Sequence, residues 1–532
     1  MKKKVTAVIL AILVCTSMLA SPCLAAEAGQ SDVQISVVDS EQNQPSNDEN
    51  TIDNAQTMDG SGQTDGEEAA DSTSQIPEDT SEETTMDQQE DSADSENNNT
   101  VDTSEKTDVQ TPLAQQSQES EVSVQDLEAE TERSTSGQYL INFNKNNSAS
   151  TYVSYTEYNT GKSGYINGYY GADAAYLGTT GNYYIFMMSG VIGRVSKNSV
   201  SLVALKNAKS YSHYLVENGN LYHRITRNMS GTSYVSKLNN GTAPSYLSAG
   251  NNYFSYDGHY FYTNYATMIS DYTNDVRTHA VNPNNPYFNY YQYLPLRSTT
   301  SYTAAELNET INGKITSTSK MKDLGNDFTN NQNTYGVNAL LMAAIAANES
   351  SWGDSSISQK KNNLFGLNAV DASPSQSANY YRNVSTCIKD FAETYMSKRY
   401  LNPNNFSRGN YRGAYLGNKA SGINVRYASD PYWGEKAANY AYYLGQKFNS
   451  KDAYRFTIGI KDTVSSMNKA PTTNLNVRNE NLSSSTRLYY AANLYGVSFL
   501  LLDNAAVSNG FYKIQSDGVL NSGRTAINSS SG

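Results

Sequence analysis

The chain has 532 residues and a formal net charge of −13, an average over two segments of opposite charge. Residues 27–135 hold 30 acidic and two basic residues, whereas residues 136–532 hold 34 basic and 22 acidic residues. A basic domain can bind nucleic acid, but no recognition motif or dense Lys/Arg stripe occurs here, so nucleic acid is excluded as the expected partner.

The first 26 residues have the pattern of a secretory signal peptide. Three lysines precede an apolar run from Val5 to Ala20, and small residues surround Ala25. The run is shorter than the roughly 20 residues of a membrane-spanning helix, so we expect a secreted protein without stable membrane insertion after cleavage. Cys23 follows Pro22 rather than a small residue, which argues against a lipid anchor.

Residues 27–135 are predicted to form a disordered acidic linker. They are rich in Ser, Thr, Gln and Asn and nearly free of aromatic residues. A segment of this composition cannot bury enough apolar surface to offset its chain entropy. The basic remainder of the chain would then face outward in an exported protein, where an anionic cell-wall polymer is a plausible partner.

Residues 136–300 alternate short β-prone runs with turns rich in Gly, Asn and Asp, which predicts small β-barrels or sandwiches acting as wall-binding modules. The many tyrosines of these runs can stack on sugar rings, but packing within the sheets is the commoner role. The chain's histidines all fall in this segment without the spacing of metal ligands, and we expect them at surface or turn positions. They are His213, His223, His259 and His279.

Near Ser301 the pattern changes from a two-residue to a helical period. A capping box is predicted from Thr303 to Glu306, and a longer helix follows from Tyr335. The apolar residues of that helix fall on one face, and Glu349 lies on the same face four residues beyond the last of them. They are Val337, Leu340, Leu341, Ala344 and Ile345.

A carboxyl group on such an apolar face is a candidate general acid, because burial raises the pKa of a carboxyl group. The alternative is that Glu349 caps a helix or forms an ion pair, and periodicity alone does not separate the two. Between residues 301 and 450 there is no histidine and one cysteine, Cys387, which we interpret as a packed thiol. Carboxylates and tyrosines would have to transfer protons, as in glycoside hydrolysis, and no cofactor is expected.

The stretch "AAIAANESSWGDSSISQKKNNLFGLNA" resembles the glucosaminidase domain of bacterial peptidoglycan hydrolases, glycoside hydrolase family 73. The family motif is a helix ending in Glu-Ser-x-Trp-Gly, followed by Lys-x-x-Asn-Leu-Phe-Gly. The later stretch "RYASDPYWGEKAANY" resembles the family's Tyr-Ala-Thr-Asp-Pro segment. The resemblance covers about residues 320–450 and implies a lysozyme-like lobe with a short hairpin over a sugar-binding cleft.

The resemblance also implies roles for particular residues. Glu349 matches the general acid and Tyr427 the catalytic tyrosine that lines the cleft. The expected substrate-binding residues in the same motifs are Trp352, Asn363, Phe365 and Tyr432.

The family's second carboxylate varies in position, and the first candidate here is Asp371, in "GLNAVDASPS". A turn residue is the alternative, since Asp-Ala-Ser-Pro is also good turn chemistry. Asp430 is a weaker catalytic candidate, because an N-cap before the following helix explains it.

Residues 451–532 resemble the start of a bacterial SH3-like wall-binding domain in "LNVR", without a strong final strand, so an incomplete module is expected. The predicted fold class is multidomain: a mostly helical, lysozyme-like α+β catalytic domain at residues 301–450, flanked by small all-β SH3-like modules after the disordered segment.

Two classes of function remain open. The first is a secreted, wall-associated hydrolase that cleaves the β-1,4 bond after N-acetylglucosamine in peptidoglycan, with teichoic acids as further partners. The second is a non-catalytic wall-binding or adhesive protein. Within the enzyme class, a muramidase, a lytic transglycosylase and an endo-glucosaminidase of glycoprotein N-glycans are alternatives.

Overall fold

A computed structural model describes residues 35–38, 137–149, 151–369, 377–405, 409–502 and 508–518. The predicted signal segment 1–26 and most of the predicted linker 27–135 lie outside the described residues. Within that linker, Ile35–Val38 form strand β1, which pairs antiparallel with Ile458–Lys461. This strand departs from the predicted disorder because three of its four residues, Ile35, Val37 and Val38, are apolar and β-branched, and none of the four carries a charge.

The largest sheet has seven antiparallel strands in the order β4-β3-β7-β6-β5-β2-β8. Strands β6 and β7 are joined by Ser189 and Gly190, both with positive φ, which gives the tight hairpin turn that suits strand twist. The strands are β2 Tyr139–Asn142, β3 Val153–Glu157, β4 Ser163–Ile166, β5 Asp173–Thr180, β6 Tyr183–Met188, β7 Val191–Ser196 and β8 Ser201–Ala204.

A second antiparallel sheet has the order β11-β10-β9-β12. Asn218 and Gly219, both with positive φ, form the turn between its first two strands in the chain. The strands are β9 His213–Glu217, β10 Asn220–Thr226, β11 Tyr234–Thr242 and β12 Asn252–Tyr253. The expectation of surface histidines is wrong for three of the four, because the structure buries His213, His223 and His259.

The sequence predicted that helices begin near residue 301, but the structure has two helices before that residue. The helices are α1 Tyr265–Thr273, α2 Tyr290–Tyr293, α3 Ala304–Asn312, α4 Gly325–Tyr335, α5 Ala339–Glu349, α6 Ser356–Lys361, α7 Val384–Asp390, α8 Asn424–Tyr427 and α9 Trp433–Gly445. A π-helix at Phe391–Tyr400 continues α7, and the predicted capping box of Thr303 and Glu306 is confirmed at the start of α3.

Helix α5 is the centre of the main hydrophobic core. Every residue of α5 except Asn348 is buried. The prediction of a one-sided apolar stripe is therefore wrong: α5 is buried all round, as expected for a helix that is apolar on every face.

The seven-stranded sheet is buried on both faces. On β6, Ile185 and Met187 join a core with α1, whereas Phe186 and Met188 join a core that includes Ala420 and Tyr432 from the helical part. Alternation along a strand sends successive side chains to opposite faces. The sheet therefore packs against the helical part of the chain with one face.

The C-terminal strands are β13 Ile458–Lys461, β14 Asn476–Arg478, β15 Arg487–Tyr490 and β16 Val497–Leu500. They form a β1-β13-β16 sheet and a β14-β15 pair. Ile458, Ile460 and Phe499 belong to the same hydrophobic core as α5. Separate SH3-like modules are therefore not confirmed, although the β-rich and helical parts of the predicted fold are present and the described residues belong to one compact unit.

Asp517 fastens the end of the described chain to the helical part. Tyr411 Oη donates to Asp517 Oδ2 at 2.8 Å, and Arg297 Nε donates to the Asp517 backbone oxygen at 3.2 Å. Burial raises the pKa of Asp517 from 3.8 to about 6. Because the folded-state pKa lies above the unfolded value, the contribution of this proton to stability is complete below the unfolded value and is lost as the pH rises through the folded one.

We therefore expect the native protein to lose stability relative to Asp517→Asn as the pH rises from about 4 to about 7, since the amide does not titrate. Urea denaturation of both proteins at several pH values measures this difference in the free energy of unfolding. A difference that stays constant over the whole range would contradict the assignment.

Candidate active site

Glu349 is the last residue of α5, and its side chain is only 4% exposed. The helix ends there because Ser351, Trp352 and Gly353 all have positive φ, of 50°, 59° and 82°. The Trp352 backbone N–H still reaches back to Ala347 O at 3.0 Å. The Ser-Ser-Trp-Gly sequence therefore turns the chain sharply just beyond the buried carboxyl group.

Two donors reach the same oxygen of Glu349. Trp433 Nε1, at the start of α9, donates a hydrogen bond to Glu349 Oε1. Asn348 Nδ2 lies 3.5 Å from the same oxygen, a weak contact. The indole N–H is thus the principal described donor to the candidate acid.

Aromatic rings surround this carboxyl group. Tyr440 lies on α9, and its pKa is raised by burial and, to a smaller degree, by the neighbouring Glu349. The Trp352 ring lies edge-on to Tyr440, with 5.3 Å between the ring centroids. Trp352 and Glu349 thus share Tyr440 as a neighbour, and the substrate-binding role of Trp352 stays a prediction.

Gly353 is held where a side chain does not fit. A Cβ there would lie 2.7 Å from Ser319 Oγ and 2.8 Å from the Met321 backbone nitrogen, and Ser319 Oγ itself donates to Trp352 O. Positive φ adds a conformational cost for any residue with a Cβ.

We expect Gly353→Ala to lower the free energy of unfolding by about 1–3 kcal/mol and to displace the Trp352 loop. Urea denaturation measures the loss. The matched control is Gly250→Ala, because Gly250 has a similar φ of 85° but no atom within 4 Å of an added Cβ. Equal losses in the two variants would show that steric contact at Gly353 has no effect.

Asn363 organises the loop that follows α6. Its Nδ2 donates to Leu367 O at 3.0 Å and Asn379 O at 3.1 Å, and its Oδ1 accepts from Leu367 N at 3.0 Å. The side chain is 1% exposed. The structure therefore places this predicted substrate-binding residue inside its own loop.

Phe365 and Tyr427 are also buried, side by side in the core. The Phe365 ring stacks on Phe391 at 3.7 Å, and Tyr427 Oη donates to Phe365 O at 3.0 Å. The Tyr427 ring lies 4.7 Å from that of Trp433. Tyr427 thus packs against the ring of Trp433, the residue whose indole N–H donates to Glu349.

The predicted residues Tyr432 and Asp371 are not brought to the acid by the described structure. Tyr432 is 5% exposed and directs its ring toward His223, 5.0 Å away, in the β-rich part. Asp371 lies outside the described residues. The N-cap interpretation of Asp430 is wrong, because Tyr432 is the N-cap of α9, while Asp430 accepts the Tyr432 N–H and pairs with Lys436.

Cys387 is fully buried, and burial raises its thiol pKa to about 12. The interpretation of a packed thiol is confirmed, since a nucleophilic cysteine needs a lowered pKa and some exposure. Within the described residues, no group of three or more His, Cys, Asp and Glu side chains is placed to hold a metal ion. No described helix has the length and apolar character needed to cross a bilayer.

Sequence reasoning missed Trp433. It lies in "SDPYWGEK", next to a motif that the sequence analysis quoted, and it is one of two tryptophans in the chain. A fully buried Trp requires a partner for its N–H, so a lone Trp beside a catalytic motif was a usable signal. The buried carboxyl of Glu349, its indole donor Trp433 and the nearby ring of Tyr440 together form the candidate active site.

Residues 325–445 match the protein family described as glucosaminidase, mannosyl-glycoprotein endo-beta-N-acetylglucosaminidase. The matched segment begins with α4 and ends with α9, so it contains Glu349, Trp352 and Trp433. The glucosaminidase-family domain predicted from the sequence is therefore confirmed for these residues.

Two curated relatives, both provisionally named as endo-beta-N-acetylglucosaminidase, come from Streptococcus pneumoniae serotype 4 strain ATCC BAA-334 / TIGR4 and strain ATCC BAA-255 / R6. Each is 31% identical over 266 residues, which is 50% of this chain and 34% or 32% of the relative. This chain thus spans about a third of the length of the curated relatives it matches.

Among solved structures, this chain is similar to Staphylococcus aureus autolysin E. A catalytic mutant in complex with the disaccharide NAG-NAM is 18% identical, with a TM-score of 0.24, covering 33% of this chain and 77% of that chain. A second autolysin E structure also gives 18% identity and a TM-score of 0.24, covering 34% of this chain and 77% of that chain. Scores of this size carry no argument about the present site.

Proposed function

We propose that the protein is a secreted glycoside hydrolase that cleaves the β-1,4 bond after N-acetylglucosamine in peptidoglycan, with Glu349 as general acid. The observation that carries the proposal is the buried Glu349 carboxyl, held by Trp433 inside the segment that matches the glucosaminidase family. The signal-peptide pattern, the motif resemblance and the basic character of residues 136–532 support an exported, wall-associated role.

In this proposal Glu349 protonates the glycosidic oxygen as the leaving group departs. The oxocarbenium-like centre is stabilised by Asp371, by the acetamido group of the substrate, or by both. Trp352 lines the cleft beside the acid. Three buried residues support the acid by fixing the loop after α6 and the aromatic rings near Glu349. They are Asn363, Phe365 and Tyr427.

The rest of the chain has a proposed role in reaching the wall. The acidic segment 27–135 serves as a spacer, and the β-rich segments 136–300 and 451–532 support attachment to peptidoglycan strands and teichoic acids. A wall-binding or adhesive protein without activity is less well supported, because a binding module has no need for a buried acid held by an indole donor.

A second candidate substrate is the N-glycan of glycoproteins, because the matching family is described as a mannosyl-glycoprotein endo-beta-N-acetylglucosaminidase. The substrate class is tested by incubating the protein with purified peptidoglycan and, in a parallel reaction, with a high-mannose glycoprotein. We expect soluble fragments from peptidoglycan and an unchanged glycoprotein mass. Deglycosylation with intact peptidoglycan would instead establish the N-glycan activity, and binding to peptidoglycan without cleavage of either substrate would leave the adhesive alternative.

A further inference from the structure

Glu349 and Trp433 are 84 residues apart in sequence, yet the buried indole N–H of Trp433 reaches Glu349 Oε1. The Trp433 side chain is 1% exposed, and the ring lies against Tyr427. Tyr427 is itself fixed by its hydrogen bond to Phe365 O. The indole is thus held on one side by the core and on the other by the carboxyl group.

Because Oε1 accepts the indole N–H, the transferable proton of the acid belongs on the other carboxyl oxygen, Oε2. We propose that Trp433 is the positioning residue of Glu349, fixing which oxygen carries the proton and restraining the carboxyl in one orientation. This inference rests on the proposed function, since positioning matters only if Glu349 transfers a proton.

The indole N–H of Trp433, a neutral donor, also affects the ionisation of the Glu349 carboxyl. It interacts more strongly with a carboxylate than with a carboxylic acid, so it favours the charged form and opposes the effect of burial. Removing the N–H while keeping an aromatic ring should therefore keep Glu349 protonated to higher pH.

Several described charged and titratable groups lie on the elements that pack against α5. On α9, Tyr440 interacts electrostatically with Glu349, and burial raises its pKa, so it is neutral near pH 7. Glu435 and Lys436 of the same helix pair with His223 and Asp430. Further titratable groups among the described residues are Tyr442 and Tyr443 on α9, Asp327 and Tyr335 on α4, which packs against α5, and Asp354 in the loop after α5.

The first test needs no catalysis. The chain has two tryptophans, so Trp352→Phe in the full-length protein leaves Trp433 as the single indole emitter. We expect the fluorescence of this variant to change in one sigmoidal step with pH, as the Glu349 carboxyl next to the indole ionises. Adding Glu349→Gln should abolish that step. A step that persists in the double variant, or no step in the single variant, would overturn the proposal.

The second test is the pH dependence of kcat/KM on peptidoglycan fragments. For a general acid, activity falls as the pH rises through its ionisation. We expect Trp433→Phe to lower kcat and to move this alkaline limb to higher pH, whereas a purely structural loss would lower activity without moving the limb. An unmoved limb in a folded variant contradicts the inference.

The two tests separate the inference from the proposed function. A fluorescence step that depends on Glu349 in a protein that cleaves no glycan would uphold the indole–carboxyl coupling and reject the hydrolase. If the protein cleaves glycan but the Trp433 fluorescence does not depend on Glu349, the proposed hydrolase activity is supported and the positioning role of Trp433 is rejected.

Discussion

Replacing Glu349 with glutamine is expected to lower kcat on peptidoglycan by about 10²–10⁴-fold, the range that a general acid contributes. An amide has no proton of comparable acidity to deliver to the leaving oxygen. Glutamine has nearly the same shape, and its carbonyl oxygen can still accept the hydrogen bond from Trp433. The fold is therefore retained, and the loss should fall on kcat rather than on KM.

The rate of release of soluble glycan fragments measures this effect. Glu309→Gln is a matched control, because Glu309 is an exposed helical glutamate whose partner is Lys447, at 2.9 Å. It makes the same chemical change away from the site and should leave the rate unaltered. Activity of Glu349→Gln within a few-fold of the native rate would exclude Glu349 as the acid.

Glu435→Ala is expected to produce the largest loss of stability, about 3–5 kcal/mol in the free energy of unfolding. Glu435 lies on α9, two residues from Trp433, and its carboxyl contacts the buried His223 and the partly buried Asn240 in the β-rich part. His223 Nδ1 lies 2.9 Å from Oε2, and Asn240 Nδ2 donates to Oε1 at 2.6 Å. Alanine leaves the buried His223 and the partly buried Asn240 without the carboxyl oxygens that they contact.

Urea denaturation followed by circular dichroism measures this loss. Glu217→Ala is the control, because Glu217 pairs with Lys237 and Arg224 at a partly exposed surface, where ion pairs contribute less than about 1 kcal/mol. We also expect Glu435→Ala to lower activity, since α9 carries Trp433. Equal stability losses in the two variants would show that the buried contact does not fasten α9 to the β-rich part.

Local signals in the sequence predicted the features that depend on neighbouring residues. The Thr303–Glu306 capping box needs a spacing of three residues, and the end of the helix at Glu349 follows from the Ser-Ser-Trp-Gly turn. Each of these depends on short-range hydrogen bonds or backbone preference.

Features that depend on contacts distant in sequence were missed. His223 and Glu435 are 212 residues apart, and Glu349 and Trp433 are 84 apart, so periodicity within a window cannot pair them. The same limit explains the prediction of separate β-modules. Turn and strand patterns indicated where the sheets lie, but not that one face of the large sheet packs on the helical part.

The burial of Phe365 and Tyr427 shows a related limit. A family motif marks which residues matter together, but it does not distinguish a residue that touches the substrate from one that supports the acid. The hydrogen bond from Tyr427 to Phe365 O and the ring contact with Trp433 suggest the supporting role, and only a three-dimensional arrangement contains that information.

The most direct test of the central claim is mass spectrometry of borohydride-reduced fragments from purified peptidoglycan, digested by the native protein and by Glu349→Gln. We predict fragments with reduced N-acetylglucosamine ends from the native protein and none from the variant. Reduced muramic acid ends or anhydro ends would contradict the proposed bond, and N-acetylglucosamine ends from both proteins would contradict Glu349 as the acid.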